Sequence, residues 1–259
     1  MQKANTSKTN DNIPMKNNEE SQQNSLGKIC KYCGKPYKEY FDSFSNKTFM
    51  ISNCNCEKKL EQKQKGLETI ALIKSIRNNS GIGKRYLKKT FSNYNKSINK
   101  KAVDECLDYC RNFIDNYVEG KGLFLMGTIG TGKTHLLAAI IDYIARIYKK
   151  EIRKVMYFTS TGLLNEIRNS YNKSEEFVNK VKHCQVLLID DFGVEKTTDW
   201  VLEIYFEIID YRYSNLLPTI VATNLTDKEI KEKLSERIMS RIYEANKGIK
   251  LVGKDYRIR

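Results

Sequence analysis

GLFLMGTIGTGKT, the stretch from Gly122 to Thr134, decides the fold of this chain. Its apolar first half is typical of a buried strand, and a glycine-rich loop and a helical pattern follow it. The loop fits G-x-x-x-x-G-K-[ST] in the strand–loop–helix setting that this pattern requires. Because glycines let successive backbone N–H groups turn inward and a helix N-terminus adds partial positive charge, the segment is predicted to bind phosphate groups.

The polar residues of this loop have predicted parts in nucleotide binding. Lys133 supplies a cation to the β- and γ-phosphates, and the Thr134 hydroxyl is a ligand of Mg²⁺. A glycine-rich turn that matches by chance is the alternative, but the flanking strand and helix and a second motif argue against it. The predicted nucleotide-binding residues of the loop are Gly127, Gly130, Thr131, Gly132, Lys133 and Thr134.

The second motif, VLLIDD at residues 186–191, places two carboxylates after a buried strand. Open α/β sheets bind ligands at the carboxyl edge of their strands. We predict that Asp190 holds Mg²⁺ through water and that Asp191 orients or deprotonates the attacking water. A helix N-cap or a turn residue is the alternative for Asp191. The sequence contains no guanine-reading N-K-x-D motif, so ATP is favoured over GTP.

Three further polar residues are candidates for the reaction. Asn224 ends the next predicted strand, where its amide can reach the γ-phosphate or the attacking water; a simple turn residue is the alternative. Arg237 and Arg241 lie four residues apart and share a helix face. Either one can reach the γ-phosphate of a neighbouring subunit as an arginine finger. By themselves, however, these arginines fit a surface pair or a salt bridge to Glu236 or Glu244 better.

Four cysteines near the start of the chain, Cys30, Cys33, Cys54 and Cys56, have a two-plus-two spacing. Tetrahedral zinc takes four such thiolates, and Gly34 suits the turn between two ligands. The spacing is close to that of a zinc ribbon, although the second pair is C-x-C and neither histidine lies nearby. Idle thiols are the alternative, since disulfides are not expected in a reducing compartment. Core positions are predicted for the remaining cysteines, Cys106, Cys110 and Cys184.

Composition limits the cellular setting and the partners. The formal net charge of +14 favours a partner of opposite sign, of which nucleic acid is the commonest. A lysine-rich composition without a specific partner is the alternative. Residues 1–25 lack the apolar segment of a signal peptide, and no apolar run approaches the roughly 18–20 residues of a membrane helix. We therefore expect a cytoplasmic protein with no membrane partner.

Strand and helix patterns alternate along most of the chain, which predicts an α/β fold with a parallel sheet flanked by helices. The predicted domains are a disordered tail at 1–25, a Cys-rich region with its helix at 26–79 and an ATPase domain at 80–259. Strands are predicted at residues 123–126, 155–159, 186–189 and 219–223. Helices are predicted at residues 58–79, 99–118, 134–148, 161–171, 200–214 and 227–244.

Taken together, these motifs resemble helicase loaders of the DnaC/DnaI type, which are close to the IstB-like ATPases. The likeness runs from about Gly81 to the C-terminus and is far more specific than a phosphate loop alone. It is carried by SGIGKRY at 80–86, GTIGTGKTHL at 127–136, LLIDDFGVEK at 187–196, PTIVATNL at 218–225, ERIMSRIYE at 236–244 and the terminal residues 253–257.

This resemblance implies an AAA+ P-loop NTPase core without the usual C-terminal lid, preceded by a small zinc-binding-like domain with four cysteine ligands. Asn224 would correspond to the sensor-1 residue of AAA+ proteins. Arg241 would be the first choice for the arginine finger, with Arg237 second. Residues 161–182 would be an extra helical element that lines a DNA-binding surface, and the Cys-rich region would grip the replicative helicase.

Several functions are consistent with the sequence. The leading one is an ATPase that self-associates and places a DnaB-type helicase on single-stranded DNA, with ATP, Mg²⁺ and Zn²⁺ as cofactors and slow hydrolysis as a release switch. An IstB-like transposase helper shares the core, but such helpers generally lack the cysteine cluster. A zinc-dependent adaptor that barely hydrolyses ATP is a third reading. A small-molecule kinase is the fourth, although no substrate-binding lid is recognisable.

Overall fold

The computed structural model describes residues 29–51, 54–170, 173–253 and 255. The chain divides into two compact units, residues 1–65 and residues 66–259. This division falls inside helix α1 (Cys56–Asn79), which was predicted for residues 58–79. The predicted disordered tail at 1–25 lies outside the described residues, and the predicted functional domains, 26–79 and 80–259, stay a prediction.

The first unit contains an antiparallel hairpin that the sequence patterns did not predict. Strand β1 (Lys38–Asp42) pairs with β2 (Lys47–Ile51), and Tyr40 lies opposite Phe49. Asn46 takes the positive φ of 53° that a tight turn needs. The hairpin connects the two pairs of clustered cysteines along the chain.

The second unit is built on a five-stranded parallel sheet in the described part of the chain, which confirms the predicted fold class. The strand order is β4-β5-β6-β3-β7. All the predicted strands are observed within one residue of their predicted ends, whereas β7 was not predicted. The strands are β3 (Gly122–Gly127), β4 (Val155–Thr159), β5 (Val186–Asp190), β6 (Thr219–Thr223) and β7 (Asn246–Leu251).

Helices cover the sheet, and two of the predicted helices are each divided. The pattern at 99–118 forms α2 and α3 with a break at Asn112, and the pattern at 227–244 forms α8 and α9. Leu234 and Ser235 are extended at the second break, where Ser235 Oγ accepts from Ile238 N and caps α9. The helices are α2 (Lys96–Arg111), α3 (Phe113–Val118), α4 (Lys133–Ile147), α5 (Ser160–Asn169), α6 (Ser174–His183), α7 (Asp199–Ser214), α8 (Asp227–Lys233) and α9 (Glu236–Ala245).

Both faces of the sheet are buried, as helices on the two sides of a parallel sheet require. In β3, Leu123 and Leu125 belong to the apolar layer packed under α2 and α4. Phe124, between them, belongs to the opposite layer with α5, α6, α7 and α9. No helix among the described residues is both long and apolar enough to cross a membrane.

A fully buried arginine on α7 connects the end of α6 to the residue before β6. Arg212 of α7 donates through Nη1 to the carbonyls of Val181, Lys182 and Cys184 at 2.8–3.1 Å, at the C-terminal end of α6. Its Nη2 donates to Pro218 O at 2.8 Å, immediately before β6. Carbonyl groups at a helix C-terminus have no partner within the helix and carry partial negative charge, so a guanidinium there satisfies several of them at once.

Arg212→Ala should lower the free energy of unfolding by about 3 kcal/mol or more, because it leaves several buried carbonyls without donors. Urea unfolding followed by circular dichroism measures this change. Arg237→Ala is the matched control, since Arg237 is exposed, and it should change stability by less than about 0.5 kcal/mol. Equal stability of the two variants would contradict the structural role of Arg212.

Candidate ATP site and metal centre

The parallel pairing of three strands brings the two nucleotide motifs to one edge of the sheet. In the register, Met126 of β3 lies beside Thr223 of β6, and Ile189 of β5 lies beside Val221. The phosphate loop therefore leaves β3 at the same edge where Asp190 ends β5 and Asn224 follows β6. This is the edge at which open α/β sheets bind ligands.

The phosphate loop has the backbone that its glycines predict. Gly130 and Gly132 have φ values of 77° and 94°, which residues with a side chain rarely adopt. A Cβ on Gly132 would also lie 2.8 Å from the ring of Tyr94. The Tyr94 hydroxyl donates to Thr131 O at 2.8 Å, so the segment before α2 holds the loop from outside. Tyr94 was not identified from the sequence.

Lys133 and Thr134 are the first two residues of α4. Lys133 faces the carbonyls of the loop, and Thr134 faces the predicted metal ligand Asp190. Lys133 is buried, and its ammonium donates to the carbonyls of Gly127 at 2.6 Å and Thr128 at 2.9 Å. The Thr134 hydroxyl donates to Asp190 Oδ2 at 2.6 Å. The structure thus brings together the two residues that were predicted to serve Mg²⁺.

Asp190 is a buried carboxylate in a polar pocket at the end of β5. Besides Thr134, the Tyr157 hydroxyl donates to its Oδ2 at 3.0 Å, and the Asp191 backbone N–H donates to its Oδ1 at 3.0 Å. Burial raises the pKa of Asp190, and the hydrogen bond from Thr134 opposes this while the charge of Asp191 adds to it. A divalent cation at this position would offset both unfavourable effects.

Asp191 and Asn224 are also brought together. Asp191 has a positive φ of 53°, which turns the chain sharply after β5. Its Oδ1 accepts from Asn224 Nδ2 at 2.5 Å. This contact fixes the direction of the Asp191 carboxylate, as a residue that orients a water molecule requires.

A cavity of about 420 Å³ lies over these residues. Its wall includes the predicted Gly130, Gly132, Lys133, Thr134, Asp191 and Asn224. Other residues of the wall were not predicted from the sequence. Arg85, Tyr86 and Lys89 come from the connector before α2, and His135 follows the phosphate loop. Arg85 and Lys89 add two cations to a site predicted for a triphosphate. Arg85 lies in the SGIGKRY motif of the resemblance, whereas Lys89 lies outside that motif.

The two candidate finger residues on α9 do not line this cavity. Arg241 is ion-paired with Asp210, donates to Arg237 O at 3.0 Å and lies 5.0 Å from the centre of the Phe206 ring. Arg237 is exposed to solvent. Of the two predicted fingers, Arg241 is therefore held within its own subunit, whereas Arg237 extends from the surface.

The four predicted metal ligands of the first unit converge. The sulfur atoms of Cys30, Cys33, Cys54 and Cys56 all lie within 4.8 Å of one another. Four sulfurs bound to one tetrahedral zinc at about 2.3 Å would be roughly 3.8 Å apart, so the arrangement fits this ion. Gly34 has a φ of 69° and its N–H donates to Cys30 O at 2.8 Å, which forms the predicted turn.

One thiol of this cluster has a raised pKa. Hydrogen bonding to Cys33 and to Cys54 raises the pKa of Cys56 to about 12. Crowded thiols resist ionisation, and a divalent cation reverses this preference because it binds thiolates. The other cysteines, Cys106, Cys110 and Cys184, are buried in the apolar layers, as predicted.

Asp190→Asn should stabilise the nucleotide-free protein at neutral pH and weaken binding of Mg²⁺-ATP by about tenfold or more. Because the pKa of Asp190 is raised in the folded state, its ionised form costs stability above that pKa. The cost disappears as the pH falls through it. Thermal melting at a series of pH values should therefore show a difference in melting temperature between variant and wild type that becomes smaller towards acid pH. A difference that is constant with pH would contradict this account.

Comparison with known proteins places this site in a family. The profile of the bacterial DnaA ATPase domain matches residues 88–248. The replicative helicase loader DnaI of Bacillus subtilis is 34% identical over 163 residues, which are 56% of this chain and 51% of DnaI. The chain thus spans about half the length of that relative.

Solved structures agree with this assignment. A crystal structure of the DnaC helicase loader has a TM-score of 0.57 and 32% identity, and the match covers 66% of this chain and 100% of that chain. A crystal structure of DnaI has a TM-score of 0.56 and 25% identity, with 66% and 95% covered. The predicted resemblance to DnaC/DnaI-type loaders is confirmed. Since the family match extends over more than half of its residues, the chain belongs to the family of the bacterial DnaA ATPase domain.

Proposed function

We propose that this chain is an ATP-dependent loader that places a DnaB-type replicative helicase on single-stranded DNA. ATP binding favours assembly of the loader on the helicase, and slow hydrolysis favours release. One observation carries this proposal. Polar groups suited to ATP and a four-cysteine module occur in one chain that is 34% identical over 163 residues to a helicase loader.

Residues that line the cavity, together with Asp190, have separate parts in hydrolysis. Lys133 neutralises charge on the β- and γ-phosphates, and Thr134 and Asp190 hold Mg²⁺, which supplies further charge neutralisation when bound. Asp191, whose carboxylate is fixed by Asn224, orients the attacking water and accepts its proton. Arg85 and Lys89, which also line the cavity, add positive charge.

The first unit is the part of the chain that we expect to bind the helicase. Its four thiolates hold Zn²⁺, which stabilises a segment that has little apolar core of its own. Several of its aromatic side chains are solvent-exposed, among them Tyr40, Phe41 and Phe49. Exposed aromatic groups are enriched where proteins dock on one another. We assign the grip on the helicase to this unit and the DNA contact to α5 and α6.

The direct test is capture of a DnaB-type helicase by the tagged protein in the presence of ATP. Wild type should retain the helicase, and Cys30→Ser/Cys33→Ser should lose both the helicase and its bound zinc, measured by mass spectrometry. Lys133→Ala should lose the ATP dependence of capture, because it removes the phosphate-binding cation. Lys101→Ala, at an exposed lysine that does not line the cavity, is the matched control and should behave as wild type.

Two results would contradict the proposal. Capture that is unchanged in the cysteine variant, with the ATPase unit still folded, would remove the first unit from helicase binding. Binding of duplex DNA and a transposase in place of the helicase would favour the IstB-like helper function, which the same ATPase core also fits.

Self-association through an arginine finger gives a separate prediction. One of the two changes Arg241→Ala and Arg237→Ala, namely the one that removes the finger, should lower ATP hydrolysis at high protein concentration by about 1,000-fold or more. Asp210→Asn is the matched control for Arg241, because it breaks the ion pair without removing the guanidinium. It should leave hydrolysis near the wild-type rate.

Mixing two inactive variants tests whether the finger acts between subunits. The finger variant keeps an intact ATP site, and Lys133→Ala keeps an intact finger. Hydrolysis should return when the two proteins are combined and should be absent from each alone. A mixture that stays inactive would contradict a finger that acts across the subunit interface.

A further inference from the structure

A buried hydrogen-bonded network lies beside the ATP site and has no part in the mechanism above. The Glu195 carboxylate accepts from the hydroxyl of Ser160 and, at 2.5 Å, from the hydroxyl of Tyr205. The Ser160 and Tyr205 hydroxyls also contact each other. Ser160 and Tyr205 are fully buried, and Glu195 is half-buried.

The contacts of Glu195 in this network are hydrogen bonds rather than ion pairs. In the part of the chain that the structure describes, no lysine or arginine forms an ion pair with Glu195. A half-buried carboxylate held only by hydroxyl groups costs desolvation energy that an apolar side chain would not. Burial and the Glu195 charge raise the pKa of Tyr205, which keeps the hydroxyl protonated as a donor.

Its three members come from three different elements. Ser160 is the first residue of α5, directly after Thr159, which pairs with Asp190 across the sheet. Tyr205 lies on α7, and Glu195 lies in the loop that begins at Asp191. The network therefore joins the loop that carries the proposed catalytic carboxylate to the start of α5.

Tyr205 fixes this loop at a second point. Its ring centre lies 4.7 Å from that of Phe192, the residue after Asp191. The Phe192 backbone is held on β6, where its N–H donates to Ala222 O at 2.8 Å and its carbonyl accepts from the Thr223 hydroxyl at 2.7 Å. Asp191, with its positive φ, is thus held between β5 and a clamped loop.

We propose that Glu195 is a positioning residue for hydrolysis, which fixes the Asp191 loop against the first turn of α5. This inference rests on the proposed ATP hydrolysis but not on the helicase partner. Without Glu195, the loop keeps only the Asn224 contact of Asp191 and the bonds of Phe192 to β6, so the Asp191 carboxylate spends less time in its productive direction. A misplacement of about 1 Å at a reacting group costs up to about 100-fold in rate. Lys133 and the phosphate loop are not in the network, so nucleotide binding is unaffected.

The test measures kcat and KM for ATP in Glu195→Ala, Ser160→Ala and Tyr205→Phe. Each variant should lose about 10-fold to 100-fold in kcat with KM near the wild-type value. Glu195→Gln keeps one acceptor oxygen and should recover part of the rate. Tyr211→Phe is the matched control, because its hydroxyl on the same helix bonds His183 and not the Asp191 loop. It should keep the wild-type kcat.

An epistasis measurement separates positioning from a merely structural role. If Glu195 acts through Asp191, adding Glu195→Ala to Asp191→Asn should cause no further loss of kcat. Losses that multiply would overturn the inference. An unchanged kcat in Glu195→Ala would overturn it too, as would a kcat that falls only together with melting temperature and KM. Helicase capture by the wild type is measured separately, so failure of the loader function would leave the kcat ratios between variants and wild type unchanged.

Discussion

The parallel pairing of β3, β5 and β6 is the constraint on which the site depends. Since parallel strands end at the same edge, pairing β6 with both β3 and β5 brings the phosphate loop, Asp190 and Asn224 to one place although they are far apart in the chain. The hydrogen bond between Thr134 and Asp190 is the direct product of that pairing. Burial of both sheet faces then supplies the stability that a site of buried polar groups requires.

Two buried charged groups, Arg212 and Asp190, and one half-buried carboxylate, Glu195, depend on that stability. Arg212 satisfies the carbonyls at the end of α6 and so fixes the helical layer on one face. Asp190 is kept at a cost in desolvation that Mg²⁺ would offset. Glu195 ties the Asp191 loop to α5 and α7 through two hydroxyl groups. Each group costs more desolvation energy than an apolar side chain would. Asp190 and Glu195 also adjoin the residues of the proposed hydrolysis.

The sequence predicts what local patterns encode. Apolar runs predicted the central strands, and the motifs predicted which residues meet at the sheet edge. The patterns failed where tertiary contacts decide the structure. Strand β7 has the sequence NKGIKL and lies at the edge of the sheet, with Ile249 and Leu251 buried. Two buried residues make the hydrophobic alternation too weak to predict a strand. Ser235 caps a new helix inside an apparently continuous one. The sequence does not reveal that Tyr94 and Lys89 lie at the ATP site, because only folding brings their connector to it.

The central claim is that ATP and this chain together place a helicase on DNA. The most direct measurement is unwinding by a DnaB-type helicase of an oligonucleotide annealed to circular single-stranded DNA, which offers no free end. We expect unwinding only when the wild-type chain and ATP are both present, and none with Lys133→Ala. Equal unwinding by the helicase alone, or with Lys133→Ala, would contradict it.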